Sequence, residues 1–252
     1  MTRAATLGMF LWAAALAAAA PVPEEDDATR IARIYGTRAD PKDDATYKML
    51  GETLVVRSPA RELPPREGFD EVPTPEQRAV RVWKPTPAAG SRLWREVAGD
   101  FTATVRVSFP LRPAPVPSRE SPPWLPRAAG LVAWSGDKDH VGMIRCESVS
   151  RGAMPGTLRV REGFQAIWTH SQGVRLSSGV ASSDEDAAYL MLRRVGTRLT
   201  GAYGRDGKEW TEFLADEVGW KGTVKVGVYV AHFSDAPFLV TFDEYKLTTH
   251  AK

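Results

Sequence analysis

The chain has 252 residues, with 33 Lys and Arg against 31 Asp and Glu and a formal charge of +2 at pH 7. That balance excludes a dedicated nucleic-acid binder, which carries a marked basic excess. With 43% hydrophobic and 25% charged residues the composition is globular rather than disordered or collagen-like, and a single cysteine, Cys146, excludes an internal disulfide framework.

At the N-terminus Arg3 precedes an apolar run from Leu7 through Trp12 and the alanines up to Ala20, broken at Pro21. A charged start, an apolar centre and a small-residue exit form the pattern of a secretory signal peptide over 1–19, with Ala17 and Ala19 suited to the peptidase pockets. The competing reading, an uncleaved anchor, is weaker, because the run is short for a bilayer span of about 20 residues and half of it is alanine. No cysteine stands near the cut, so lipid modification is not expected. The expected protein is secreted or periplasmic, with no membrane contact after cleavage.

Residues 20–44 contain Pro23-Glu24-Glu25-Asp26-Asp27, an acidic stretch with little to bury, and read as a linker. Within it, 28–35 permits one or two helical turns with Ile31, Ile34 and Tyr35 on one side. From 45 to 250 the hydrophobic period is two, and a single β domain is expected. The clearest strand is 101–109, where Phe101, Ala103, Val105, Val107 and Phe109 alternate with polar residues. Val224, Val226, Val228 and Val230 repeat the device, as do Phe238, Val240 and Phe242. Weaker strands are expected over 53–57, 79–83, 130–134, 141–147, 158–161, 164–169, 189–194 and 198–203. Turns separate them: Val195-Gly196-Thr197, Ser135 to Asp139, and Asp206-Gly207, which predicts a type I′ hairpin with two positive φ angles. Proline-rich stretches at 59–75 and 110–126 read as loops at the rim. Many short strands without a long helical period predict two packed antiparallel sheets, with Phe101, Val105, Val107, Val226, Val228, Val240 and Phe242 in the core.

Three ordered stretches carry a family resemblance. Ala129-Gly130-Leu131-Val132-Ala133-Trp134 with Asp139 to Arg145 resembles the first hairpin of the DUF1349 family. Ala188 to Arg194, followed by Tyr203 to Thr211 through Asp206-Gly207-Lys208, is similar to its second. Val224 to Val228 with Val240 to Leu247 resembles its closing pair, and Gly99-Asp100-Phe101 is similar to its first long strand. The resemblance implies an all-β, antiparallel two-sheet jelly-roll sandwich of the concanavalin A-like lectin and glucanase type, a fold also appended to β-xylosidases. It implies no reaction. One departure is Asp139-His140, where the family carries Asn-Tyr.

Glycoside hydrolysis requires two carboxyl groups facing each other across a cleft. The chain has no E-x-D-x-x-E run. Asp184-Glu185-Asp186 reads as a solvated loop and Asp243-Glu244 as a strand edge. The four histidines, His140, His170, His232 and His250, have no metal-ligand spacing, and the acids of Ser135 to Asp139 lack the EF-hand pattern, so no metal or cofactor is expected. Cys146 reads as a small buried hydrophobe and no G-x-S-x-G elbow occurs. Sugar binding needs less: an aromatic ring to stack on a pyranose and a few planar polar groups. Trp134, Arg145, Glu147, Arg161 and Trp168 lie in central β segments and are the candidate carbohydrate-binding residues, while Trp83, Trp94, Trp210 and Trp220 read as structural. The expected function is a secreted, non-catalytic module binding a polysaccharide or another extracellular polymer on its concave face. The alternatives are a glycoside hydrolase or polysaccharide lyase without a local motif, and a structural or protein-interaction module of the cell envelope.

Overall fold

The computed structural model describes residues 25–40, 44–59, 90–110, 124–136, 139–151, 158–170, 173–179, 187–232 and 237–250. In 124–126, 147–151, 158–162, 165–170 and 173–179 it describes the backbone alone, and the signal-peptide segment and the strand expected over 79–83 lie outside the described residues. In chain order the elements are α1 (Asp27–Tyr35), β1 (Thr37–Ala39), β2 (Thr46–Leu50), β3 (Thr53–Ser58), β4 (Ser91–Ala98), β5 (Asp100–Ser108), β6 (Trp124–Gly136) and β7 (Asp139–Arg151). They continue with β8 (Leu158–His170), β9 (Gly173–Gly179), β10 (Ala187–Val195), β11 (Arg198–Gly204), β12 (Thr211–Glu217), β13 (Thr223–His232) and β14 (Phe238–His250).

Period-two alternation dictates the packing. In β5, Phe101, Ala103, Val105 and Val107 are fully buried while the residues between them are half-buried. Such a strand has one face on a core and the other toward water. Among the described residues the strands assemble into two seven-stranded antiparallel sheets. Sheet A has the order β1-β4-β13-β6-β7-β8-β9, and sheet B the order β12-β11-β10-β5-β14-β3-β2. Apolar side chains from both sheets form the core between them, among them Leu93, Leu131, Met143 and Val226 from sheet A and Leu54, Phe101, Leu190, Leu192 and Phe242 from sheet B. All seven residues expected in the core are there. The arrangement is that of a jelly-roll sandwich, with β4 and β5, neighbours in the chain, divided between the sheets.

The segment expected as a linker is folded over 27–39. The Asp26 carboxylate caps α1, accepting from the Thr29 amide at 2.9 Å. The helix buries Ile31 and Tyr35, the Tyr35 ring stacks on Tyr245 at 4.8 Å, and its hydroxyl donates to the Phe242 carbonyl at 3.1 Å. β1 then adds an edge strand to β4. The apolar side chains at helical spacing outweigh the acidic start.

Local chemistry explains the other differences. The strands expected at 158–161 and 164–169 are one, β8, because Glu162 and Gly163 stay in register with Glu147 and Cys146. The Asp206-Gly207 turn is not type I′: Gly207 has φ 71° but Asp206 does not share the positive region. Instead Asp206 Oδ1 accepts from the amides of Lys208 and Glu209 at 2.9 and 3.0 Å, an Asx arrangement that spans a longer loop.

Candidate functional site

Along β6, β7 and β13, sheet A buries side chains on both faces. One faces sheet B. The other carries a second apolar cluster of Ala128, Val132, Trp134, Ile144, Cys146, Tyr229 and Ala231, with Trp94 packed against it. Alternation along β4, β6, β7 and β13 sends these residues away from the sandwich core, since Leu93, Leu131, Met143 and Val228 point the other way.

The register places the side chains of this outer face in rows across the strands. Lys225 stands beside Trp134, which pairs with His140. In the next row Gly227 lies between Trp94 and Val132, which pairs with Gly142. One row further, Tyr229 lies between Arg92 and Gly130, which pairs with Ile144. Trp94 and Trp134 therefore reach toward each other over a glycine, and their rings meet edge to face with centroids 5.6 Å apart at 66°. A Cβ on Gly227 would collide with the Leu93 carbonyl oxygen and stand 2.7 Å from Trp94 Cα, so the close approach of β13 and β4 requires glycine.

Two cations attend the pair. The Arg92 guanidinium lies 5.7 Å from both indole centroids, and Lys225 Nζ lies 5.2 Å from that of Trp94. Both are within cation–π range. Trp134, His140 and Tyr229 are buried, whereas Arg92, Trp94 and Lys225 are half-buried and Glu96, in register with Lys225, is exposed. The face thus offers one partly open indole held by a buried one, with positive charge beside both.

The residues singled out from the sequence do not all meet here. Trp134 belongs to the outer face. Arg145 does not: it shares the inward phase of Val141 and Met143, is buried between the sheets, and sets its guanidinium 4.6 Å from the Phe109 ring. Trp134 and Arg145 therefore lie on opposite sides of sheet A. Glu147 pairs in the backbone register with Arg127, Arg161 with Ser148 and Trp168 with Val141; their side chains lie outside the described residues. Sequence reasoning missed Trp94, Arg92 and Lys225. The available signal was the Arg92-Trp94 alternation against Leu93, obscured because Arg95 interrupts the apolar phase between Leu93 and Val97.

The acids considered for catalysis lie elsewhere. Asp184-Glu185-Asp186 lies outside the described residues. Asp243 projects from the outer face of sheet B, where Arg106 pairs with it at 3.4 Å and the Thr53 hydroxyl donates to it. Glu244, at a β-bulge with φ 52°, accepts from the Tyr189 hydroxyl at 2.7 Å. That bond to a carboxylate holds the Tyr189 phenol above its ordinary range. Both carboxylates are engaged on the sheet opposite the indole pair. Cys146 is buried, its thiol donating to the Gly163 carbonyl at 3.5 Å.

Comparisons with known proteins bear on the architecture. No family model matches the chain, and no curated protein sequence matches it. Among solved structures, a functionally unknown protein from Saccharomyces cerevisiae is similar at 16% identity with a TM-score of 0.56, over 85% of this chain and 100% of that one. A xylan β-1,4-xylosidase from Bacillus halodurans is similar at 14% identity and TM-score 0.47, where the match spans 91% of this chain but 40% of the xylosidase. The carbohydrate-binding module CBM66 from Bacillus subtilis is similar at 8% identity and TM-score 0.43, over 84% of this chain and 95% of the module. The yeast protein's likeness shows the fold alone: a two-sheet β sandwich covering most of the chain.

Proposed function

We propose that the chain is an exported, non-catalytic jelly-roll module of DUF1349 type that binds carbohydrate on the outer face of sheet A. The observation that carries this reading is the Trp94–Trp134 pair, because a half-exposed indole pinned edge-on by a buried one is a rigid stacking platform. Rigidity matters, since an ordered ring loses little entropy when a pyranose settles on it. Export is supported by the charged and apolar N-terminal run, and DUF1349 membership by the ordered matches from Ala129 to Leu247.

One stacked sugar contributes on the order of 1 kcal/mol beyond its area, so a single shallow site gives roughly micromolar to millimolar affinity. Affinity electrophoresis through gels containing xylan, β-glucan or carboxylated polysaccharides tests the reading. Retardation of the wild type by at least one polymer is expected, with retardation lost in Trp94→Ala and the fold intact. Migration unaffected by every polymer, or a Trp94→Ala variant retarded like the wild type, refutes it. Release of reducing ends from a retained polymer would instead make the module an enzyme. N-terminal sequencing of protein recovered outside the cytoplasm should find a mature start near Ala20.

A further inference from the structure

The outer face of sheet B holds a constellation that neither the core nor the indole site uses. At the irregularity of β14 between Asp243 and Lys246, Glu244 adopts φ 52°, the one non-glycine residue in the left-handed region among the described residues. Glycine would adopt that conformation freely, so the glutamate side chain has to be accounted for by what it reaches. It reaches Tyr189, whose hydroxyl donates to Glu244 Oε1 at 2.7 Å. In the order β10-β5-β14 these residues stand two strands apart, about 10 Å between backbones, so the contact arches over β5. Arg106 of β5 lies between Tyr189 and Asp243 in the register and pairs with Asp243 through Nη1 at 3.4 Å. The Gly207 turn walls the far side, where a Cβ would stand 2.9 Å from the Tyr189 ring. The bulge thus gathers a carboxylate, a guanidinium and a phenol at one place.

We infer that this place is a second saccharide site, independent of the indole pair, in which Glu244 and Arg106 take adjacent hydroxyls of one neutral sugar ring beside Tyr189. Glu244 keeps Oε2 as an acceptor, and the Arg106 side chain, 40% exposed, keeps Nη2 and Nε as donors. A sugar hydroxyl both donates and accepts, so neighbouring hydroxyls satisfy the two groups together. An acidic ligand would meet Glu244 and Asp243, and a cationic one Arg106, whereas a neutral diol meets no like charge. A single ring held by hydrogen bonds binds weakly, at roughly millimolar Kd. Such a contact does not retard the chain in a polysaccharide gel, so the outcome expected for Trp94→Ala stands.

The test titrates the methyl glycosides of glucose, mannose and galactose into the isotope-labelled full chain and follows its amide resonances. Expected are saturable shifts at Arg106, Tyr189 and Glu244 with at least one glycoside, whose affinity falls at least about fivefold when one of its paired hydroxyls is removed. The uronate counterpart should bind no tighter. Glu244→Gly removes the carboxylate and relieves the backbone, so affinity should fall at least about fivefold while Tm is unchanged or higher. Glu244→Gln, which leaves the backbone as it is, should weaken binding in the same direction, and Trp94→Ala should leave it unaltered. Absence of shifts on sheet B with every glycoside, undiminished affinity in both Glu244 variants, or tighter binding of the uronate overturns the inference. Shifts confined to the surroundings of Trp94 overturn it while leaving the indole site standing, and sheet B shifts that persist in Trp94→Ala uphold it whatever the polymer gels show.

Discussion

Trp94 and Trp134 are joined edge to face, yet truncating them should have opposite signatures. Trp134 is 5% exposed and sits within the outer apolar cluster. Trp134→Ala removes a buried indole and leaves a cavity, at a cost of about 3–5 kcal/mol. Trp94 is half-exposed, so Trp94→Ala loses the ring contact, about 0.5–1.5 kcal/mol, and a fraction of its burial, for a total of roughly 1–2 kcal/mol. A domain of this size loses about 2–4 °C of Tm per kcal/mol. Trp134→Ala should therefore lower Tm by roughly 6–20 °C and Trp94→Ala by roughly 2–8 °C. Urea denaturation of the two single variants and the double variant should give a coupling energy of about 0.5–1.5 kcal/mol, the share belonging to the ring pair itself. Polysaccharide retention should fall in both, but at matched folded fraction the larger loss belongs to Trp94→Ala. A larger Tm loss in Trp94→Ala, or a coupling indistinguishable from zero, would refute the assignment of one ring as platform and the other as its support.

Three further outcomes test the frame that holds this face. Tyr35→Phe removes the hydroxyl that donates to the Phe242 carbonyl at 3.1 Å, and urea unfolding should show a loss of about 1 kcal/mol; an unchanged midpoint would mean that α1 is not anchored to β14. Burial, and then the neighbouring Tyr245 and Asp243, push the Tyr35 phenol up, so the native state keeps a proton that the unfolded chain releases near pH 10. This contribution to stability is complete below about pH 10 and is lost as pH rises further, at about 1.4 kcal/mol per pH unit. Tyr35→Phe should make the alkaline limb of urea midpoints shallower by that slope. Gly227→Ala forces a methyl against the Leu93 carbonyl and should cost about 1–3 kcal/mol or more in melting experiments. Gly142→Ala, whose Cβ would find its nearest neighbour at 3.5 Å, should stay within about 0.5 kcal/mol of wild type.

The sandwich was legible where one face of a strand is wet. Phe101 to Val107 alternate because sheet B meets water on one side, and β5 and its core residues stand where the pattern puts them; Val224 to Val230 also face the core as expected, although their outward neighbours Gly227 and Tyr229 are buried too. Along β6 and β7 the pattern fails, because both faces of sheet A are buried: Ala128 beside Ala129 and Val132 beside Leu131 bury opposite sides of one strand. An apolar run buried on both faces has no phase to read. That is why the choice of Trp134 and Arg145 as partners mixed two faces. Their positions differ by one step of strand parity, and parity alone decides whether a side chain meets a ligand or the core. The same limit hid Trp94. Its contact with Trp134 exists because β13, from the far end of the chain, inserts between β4 and β6 and presents Gly227 where a Cβ would collide with the backbone of β4 at Leu93 and Trp94. A short, charge-rich β4 carries no trace of that insertion in its own residues, so a site assembled by strand order is invisible to any reading that moves along one strand at a time.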